Sequence, residues 1–374
     1  MEKYPLSSPG ITIDGSPLMN SKQGGQNQAY LSSVGCAVPE FSIDQHTAFT
    51  MLRSKYAGTL KDSTLKLAER IFSHPSIATR HLAIDNIETF FDEDQDRKIK
   101  RFTTSAVRLA SSAISEALAR DGIGCEDVSA LVINTCTGYI CPGLTSYVIE
   151  KLGLRKDIPA YDLVGAGCAG AVPNVQLCRS LLSETGGRAV VGVSVEICSS
   201  VFQVSDSIDL IVSNALFADG AAAFVVSNVP RGFVLIDFSR VYAPEFRDDI
   251  CMVYRGGQLH NQLSKRLPSI VADQAGVTVR QFLSNHGLTI SSIDYWAMHA
   301  GGDNIIAAIE NELGVSKDTF EYTRSILKEY GNMSSPSALF ALERIYKDSK
   351  QGQTCLMLSF GAGFQMQMAL FEKQ

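Results

Sequence analysis

Along the chain, short apolar runs alternate with longer segments in which apolar residues return every three or four positions. "TTSAVRLASSAISEALARDG" (103–122) has the helical period, whereas "ALVINTCTG" (130–138) and "AVVGVSVEI" (189–197) are short runs of the kind that form buried strands. A strand over 159–164 followed by a helix through Val175, Leu177 and Leu181 continues the alternation, which predicts an α/β protein. Residues 1–28, with "SSPG", "DGSP" and "SKQGGQNQ", carry no periodic apolar pattern and are expected to form a flexible arm.

The pattern also repeats. "ALARDGIGCEDVSALVINTCTG" and "FLSNHGLTISSIDYWAMHAGG" share one plan: a helix end, a glycine (Gly122 or Gly287), a linker, an apolar strand and a turn containing glycine. Laying the two glycines together sets Asn134 opposite His299. "ALFADGAAAFVVS" (215–227) and "LMLSFGAGFQMQMALF" (356–371) form a second pair, with Gly220 opposite Gly363. Two matches in the same order predict a duplicated fold, with a first half over 29–235 and a second over 236–374.

Composition narrows the function. With 374 residues and 45% hydrophobic content the chain can bury a large core. A net charge of -6, with Lys and Arg scattered, argues against nucleic acid as a partner. No apolar run reaches the roughly 18–20 residues of a membrane span, and the N-terminus lacks the regions of a signal peptide, so a cytoplasmic protein is expected. The nine cysteines and six histidines show none of the close paired spacings that build zinc sites, which predicts reduced thiols and no metal. Cys36, Cys125, Cys178, Cys198, Cys251 and Cys355 read as small core hydrophobes. No G-x-G-x-x-G dinucleotide fingerprint is present, so no cofactor is expected.

Cys168 is different. In "YDLVGAGCAGAVPN" it lies between a strand and a helix, where the helix dipole favours a thiolate and the flanking glycines leave room for an acyl group. It is either a nucleophile or a buried thiol in a tight turn. His299, in "YWAMHAGGDN", follows a strand of the second half and is either a base for that thiol or a strand cap. Asn332, in "YGNMSSPSALFALERI", precedes an amphipathic helix and is either an oxyanion donor or the helix N-cap.

Together, "GCAGA", "AMHAGG", "YGNMSS", "SFGAGF" and "ALFADGAAA" occur in the order and at the approximate spacing of the type III polyketide synthases, the chalcone-synthase-like branch of the thiolase superfamily, which the chain resembles from about residue 30 to its end. The resemblance implies a duplicated five-layer αβαβα thiolase fold and a homodimer. It implies that Cys168 accepts the acyl group, that His299 and Asn332 complete the triad, and that Phe217 is a gatekeeper between a CoA tunnel and the reaction cavity. Cys136 and Thr137 match the cavity wall, and Cys141 of "CPG" matches the loop that reaches into the partner subunit. Gly256 and Gly363 match further substrate-binding positions. Lys61 matches a CoA-phosphate contact, although a solvated helix face explains the same charge. The second gatekeeper phenylalanine of plant members has no counterpart in "GGQLHNQLSKRLP", which points to an aliphatic starter. The implied reaction joins an acyl-CoA to several malonyl-CoA units by decarboxylative Claisen condensation and cyclises the product to an alkylresorcinol or alkylpyrone, with an acyl carrier protein as the other conceivable starter donor. Alternatives are a single condensation like that of β-ketoacyl-ACP synthase III, and a non-catalytic binding subunit.

Overall fold

The structure is a computed structural model that describes residues 28–186 and 188–374; the expected arm over 1–28 lies outside the described residues but for its last position. In chain order the first part comprises β1 (Tyr30–Ala37), β2 (Ser42–Asp44), α1 (Gln45–Tyr56), α2 (Asp62–Phe72), β3 (Thr79–His81), α3 (Ile87–Phe90), α4 (Gln95–Asp121), β4 (Val128–Asn134) and α5 (Leu144–Leu152). There follow β5 (Ala160–Leu163), α6 (Ala171–Thr185), β6 (Ala189–Ile197), α7 (Ile208–Leu216) and β7 (Asp219–Ser227). The remainder comprises β8 (Phe233–Tyr242), the hairpin β9 (Ile250–Arg255) and β10 (Gln258–Leu263), α8 (Leu267–Asn285), β11 (Tyr295–Met298), α9 (Asp303–Leu313), α10 (Glu321–Tyr330), α11 (Pro336–Asp348), β12 (Thr354–Gly361) and β13 (Gln365–Lys373).

Nine strands join in the order β11-β12-β13-β8-β1-β7-β6-β4-β5. The middle joint is slender, since β1 and β8 pair only through Tyr30 with Val234 and Leu31 with Phe233. On either side of it the pattern is the same. β1, β7, β6 and β4 are linked antiparallel, antiparallel, parallel; so are β8, β13, β12 and β11. The correspondence pairs β4 with β11 and β7 with β13, the two strand pairs that the sequence repeat aligned. Gly122 and Gly287, the glycines laid together above, both follow long helices with φ of +67°. That left-handed conformation favours glycine at a helix end. β5 has no partner in the second half, and β8 begins at Phe233, so a division at 235/236 falls inside this strand.

Alternate residues of each strand face opposite layers, as the period of two requires. Leu131, Ile133, Val191 and Val193 pack with α4, whose Ala110, Ala113 and Ala117 let it lie close to the sheet. The opposite face, with Ala130, Val132, Val190 and Phe224, meets α6 and α11. Those helices also cover Ala297, Met357 and Phe371 of the second half, whose outer face packs Trp296, Leu356 and Leu358 against α8 and α9. The layers are therefore α4, sheet, α6 with α11, sheet, α8 with α9: the expected five. None of the helices among the described residues is long and apolar enough to cross a membrane.

Candidate active site

Cys168 lies in a short turn, Gly167–Ala169, that runs directly into α6. The turn sits under the end of β12 because Gly361 has no side chain: a Cβ there would lie 2.4 Å from the Ala166 carbonyl oxygen and 2.6 Å from the Ala169 nitrogen. The glycines of "SFGAGF" thus bring the second half against the thiol. His299 directly follows β11, held by its N–H donating to the Leu358 carbonyl at 2.8 Å. Its ring is buried edge-on to Phe360, with centroids 5.1 Å apart, and Nδ1 has no hydrogen-bond partner. Asn332 is fixed by its backbone, since its N–H donates to Leu216 and its carbonyl accepts from Ala218, both at 2.9 Å. It is not the N-cap of α11, a position Ser335 occupies. Its side chain accepts from the Ser334 N–H at 2.8 Å and makes a long 3.4 Å contact from Nδ2 to the Gly301 carbonyl.

All three residues line one cavity of about 1220 Å³, together with Phe217, Cys136, Thr137 and Gly363. Of the residues matched to the binding site by sequence, Cys141, Gly256 and Lys61 are outside its wall. Cys141 is exposed in the loop before α5. Gly256 turns the tip of the β9–β10 hairpin with nothing near it. Lys61 precedes α2 with an exposed side chain 3.8 Å from Asp206. Besides His299, the basic side chains that line the cavity are Arg70 and His74 at the other end of α2, Arg80 on β3, and Arg247 and Lys265 beside the hairpin.

Two residues that sequence reasoning passed over complete the site. Ser334, buried and the one described non-glycine residue with positive φ (+60°), donates to Cys168 Sγ at 3.2 Å and lies 3.4 Å from Cys136 Sγ. Glu196 is fully buried at the end of β6 and accepts from the Cys136 N–H (2.9 Å), Thr137 Oγ1 (2.8 Å) and Ser335 Oγ (2.7 Å). A single acid in the apolar run "AVVGVSVEI" was the signal for it. Thr137 is therefore committed to structure: besides Glu196, its hydroxyl accepts from the Ile197 N–H at 2.9 Å.

Electrostatics correct one expectation. The helix end alone should depress the Cys168 thiol, but burial pushes it up to about 12, with the Ser334 hydroxyl acting in the opposite sense. Burial likewise pulls His299 down to about 4. Taken singly, both groups are neutral near pH 7. Burial also raises the Glu196 carboxyl, against the hydrogen bonds it accepts. The remaining thiols divide: Cys178, Cys198 and Cys355 are buried as expected, while Cys36, Cys125 and Cys251 are half-buried, and all nine are free.

A thiol, an imidazole and an amide converging on one large cavity suit acyl transfer. Comparison with known proteins agrees. Residues 22–234 match the family described as FAE1/Type III polyketide synthase-like protein, and 241–372 match the C-terminal domain of chalcone and stilbene synthases. The chain is 27% identical over 317 residues to a 3,5-dihydroxyphenylacetyl-CoA synthase of Streptomyces toyocaensis, covering 81% of each chain. It is 28% identical over 320 residues to the α-pyrone synthesis polyketide synthase-like Pks18 of Mycobacterium tuberculosis, again 81% of each. Among solved structures, PKS-I of the brown alga Ectocarpus siliculosus superposes with a TM-score of 0.87 at 26% identity, over 94% of this chain and 100% of that one. The 1,3,6,8-tetrahydroxynaphthalene synthase of Streptomyces coelicolor gives 0.86 at 24% identity, over 93% and 99%.

Proposed function

We propose, from the premise that this chain belongs to the type III polyketide synthase family, that Cys168, His299 and Asn332 are its catalytic residues and that its starter is an aliphatic acyl group. Members of this family are acyltransferases of thiolase-like fold that condense acyl-CoA starters with malonyl-CoA. The observation that carries the assignment is the convergence of Cys168, His299 and Asn332 on one cavity wall from distant parts of the chain.

The chemistry follows from these groups. Cys168 Sγ attacks the carbonyl carbon of the starter thioester while His299 takes the thiol proton and passes it to the departing CoA sulfur. Malonyl-CoA then enters and loses CO2. The enolate oxygen that develops accepts hydrogen bonds from His299 and from Asn332 Nδ2, whose contact to Gly301 is long enough to be exchanged for a better acceptor. The enolate carbon attacks the Cys168 thioester, forming the new carbon–carbon bond and releasing the cysteine sulfur. Arg70, Arg247 and Lys265 are suitably charged for the phosphates of CoA.

The aliphatic starter rests on the lining between α1, α2 and α3, where Met51, Leu52, Ile71, Ile87 and Phe90 offer apolar side chains and few polar groups. That wall suits a hydrocarbon chain, and cyclisation would give an alkylresorcinol or alkylpyrone. The name of the Mycobacterium relative, with its α-pyrone, points the same way. A homodimer accounts for the edge strand β5 having one side unpaired, with Tyr139, Tyr161 and Val164 exposed beside it. In this reading the first half supplies the nucleophile, the second supplies His299 and Asn332, and they divide in the turn before β8. Incubating the protein with malonyl-CoA and acyl-CoA starters of increasing length, with mass spectrometry of the products, tests this function. Several extensions on fatty starters are expected. A single extension, or selection of aromatic starters, would overturn it.

A further inference from the structure

Arg80, on β3, is 4% exposed and forms no ion pair with a carboxylate among the described residues. Its guanidinium instead faces neutral oxygens at the C-terminal end of α7. Nε donates to Gln45 Oε1 at 2.9 Å, and Nη1 donates to the carbonyls of Asn214 (2.7 Å) and Phe217 (2.9 Å). Gln45, itself buried at the start of α1, donates to the Ala215 carbonyl at 2.8 Å. The Phe72 ring lies 5.6 Å below the guanidinium.

A cation suits a helix C-terminus, but a buried one without a counter-ion carries a desolvation cost that a surface lysine would avoid. Burial accordingly pulls the Arg80 guanidinium down to about 10, against the charge of Asp219. What the guanidinium holds accounts for that cost. Phe217 forms a parallel bridge with Asn332 through the two backbone bonds on either side of it, Asn332 N–H to Leu216 and Ala218 N–H to Asn332. Gly331, just before Asn332, is packed so tightly that a Cβ would lie 2.8 Å from Arg80 Cγ and 3.0 Å from the Leu216 carbonyl oxygen. The stem of Arg80 thus abuts one strand of the bridge and its guanidinium anchors the other.

We infer that Arg80, oriented by Gln45, is a positioning residue for the condensation step, setting the backbone of Phe217 and through it the Asn332 amide. This rests on the reading of Asn332 as enolate donor. Lysine keeps the charge but cannot serve the Gln45 oxygen and two carbonyls with one planar fork. Arg80 and Gln45 lie in the wall of the same cavity, but Arg80 bonds no residue of the Cys168 turn, so its replacement should slow condensation far more than acyl loading.

The test is a double-mutant cycle in the full chain on Arg80→Lys and Asn332→Ala. Starter adduct is measured by intact mass, CO2 release from malonyl-CoA by rate, and folding by melting temperature. Arg80→Lys should load starter within a few-fold of the parental rate and release CO2 roughly 10- to 100-fold more slowly, as misplacement of a reacting group does. Adding Arg80→Lys to Asn332→Ala should cost nothing further. Additive losses, or an equal loss of loading and CO2 release in Arg80→Lys, would overturn the inference and leave the role of Asn332 intact. Parental CO2 release in Asn332→Ala would overturn that role and this inference together. If Arg80→Lys does not fold, Gln45→Leu, which removes only the Nε acceptor and the bond to Ala215, enters the same cycle with the same outcomes.

Discussion

Replacing His299 by glutamine separates two ways in which Cys168 can become a nucleophile. One is loss of the thiol proton to solvent, governed by a pKa pushed up to about 12, which leaves a thiolate fraction of ~10⁻⁵ at pH 7 and ten times less for each unit below. The other is transfer of the proton to His299. With the thiol at about 12 and the imidazole at about 4, transfer costs about 11 kcal/mol before the two new charges attract one another. For two unit charges roughly 4 Å apart at an effective dielectric of about 20, such an attraction amounts to about 4 kcal/mol. The remaining ~7 kcal/mol also corresponds to a fraction of ~10⁻⁵. The two routes therefore cross near pH 7. Transfer within the pair changes no proton count, so its contribution is independent of pH as long as the pair holds a single proton. Alkylation of Cys168 by iodoacetamide, followed by peptide mass spectrometry, should rise tenfold per unit above the crossing in both proteins. Below it the parent should level off while His299→Gln keeps falling, leaving the parent about 100-fold faster at pH 5. Parallel lines down to pH 5 would show that His299 does not share the proton of Cys168.

The other predictions concern single steps. Cys168→Ala should show no starter adduct on intact-protein mass spectra, and an adduct on another of the nine thiols would move the nucleophile elsewhere. Asn332→Ala should load starter normally and release CO2 about 10²- to 10³-fold more slowly, the usual loss for one oxyanion donor; an equal loss of loading would make Asn332 a structural residue. Cys136→Phe, which places a ring at a half-buried wall position, should shorten the longest accepted starter or product, because a close-packed wall does not give back the lost volume. Unchanged product lengths in the folded variant would remove Cys136 from the growing chain's path. Thr137→Phe is expected to fail to fold, since the threonine hydroxyl bonds both Glu196 and the Ile197 N–H.

The fold was legible where local pattern and tertiary role coincide. The run 189–197 is β6 residue for residue because all nine positions are buried, so nothing charged interrupts it until Glu196. Lys61 shows the opposite case. Its segment supplies several cations to one amphipathic helix, and sequence does not say which end of that helix meets the cavity. Packing decides it: Ala68 and Phe72 of α2 lie in one cluster with Ile211 and Ala215 of α7, which leaves Arg70 and His74 at the cavity wall and Lys61 in solvent. Gly256 lies off the cavity for a related reason. The stretch lacks the expected phenylalanine, and its Gly256–Gly257 pair, both with positive φ, marks a hairpin turn whose strands bring Met252 and Asn261 to the cavity instead.

The duplication explains why residues so far apart in sequence meet. β6 corresponds to β12, so α6 and α11, the helices that lead into these strands and share the central layer, occupy matching places in the two halves. The turn before α6 carries Cys168, and the turn before α11 carries Asn332 and Ser334. The 3.2 Å bond from Ser334 to Cys168 thus crosses between equivalent positions of the two halves. His299 stands in the same relation to Asn134, each at the end of the fourth strand from the joint, β11 by way of β8, β13 and β12, and β4 by way of β1, β7 and β6. Asn134 is wholly engaged in the core, donating to Ser335 Oγ at 2.9 Å and accepting from Asn174 at 2.9 Å and Ser194 at 2.6 Å. His299 lines the cavity instead, and its buried Nδ1 has no hydrogen-bond partner. One structural position has therefore been filled twice, with a residue that locks the half carrying Cys168 together and with a residue that, under the proposed function, exchanges a proton.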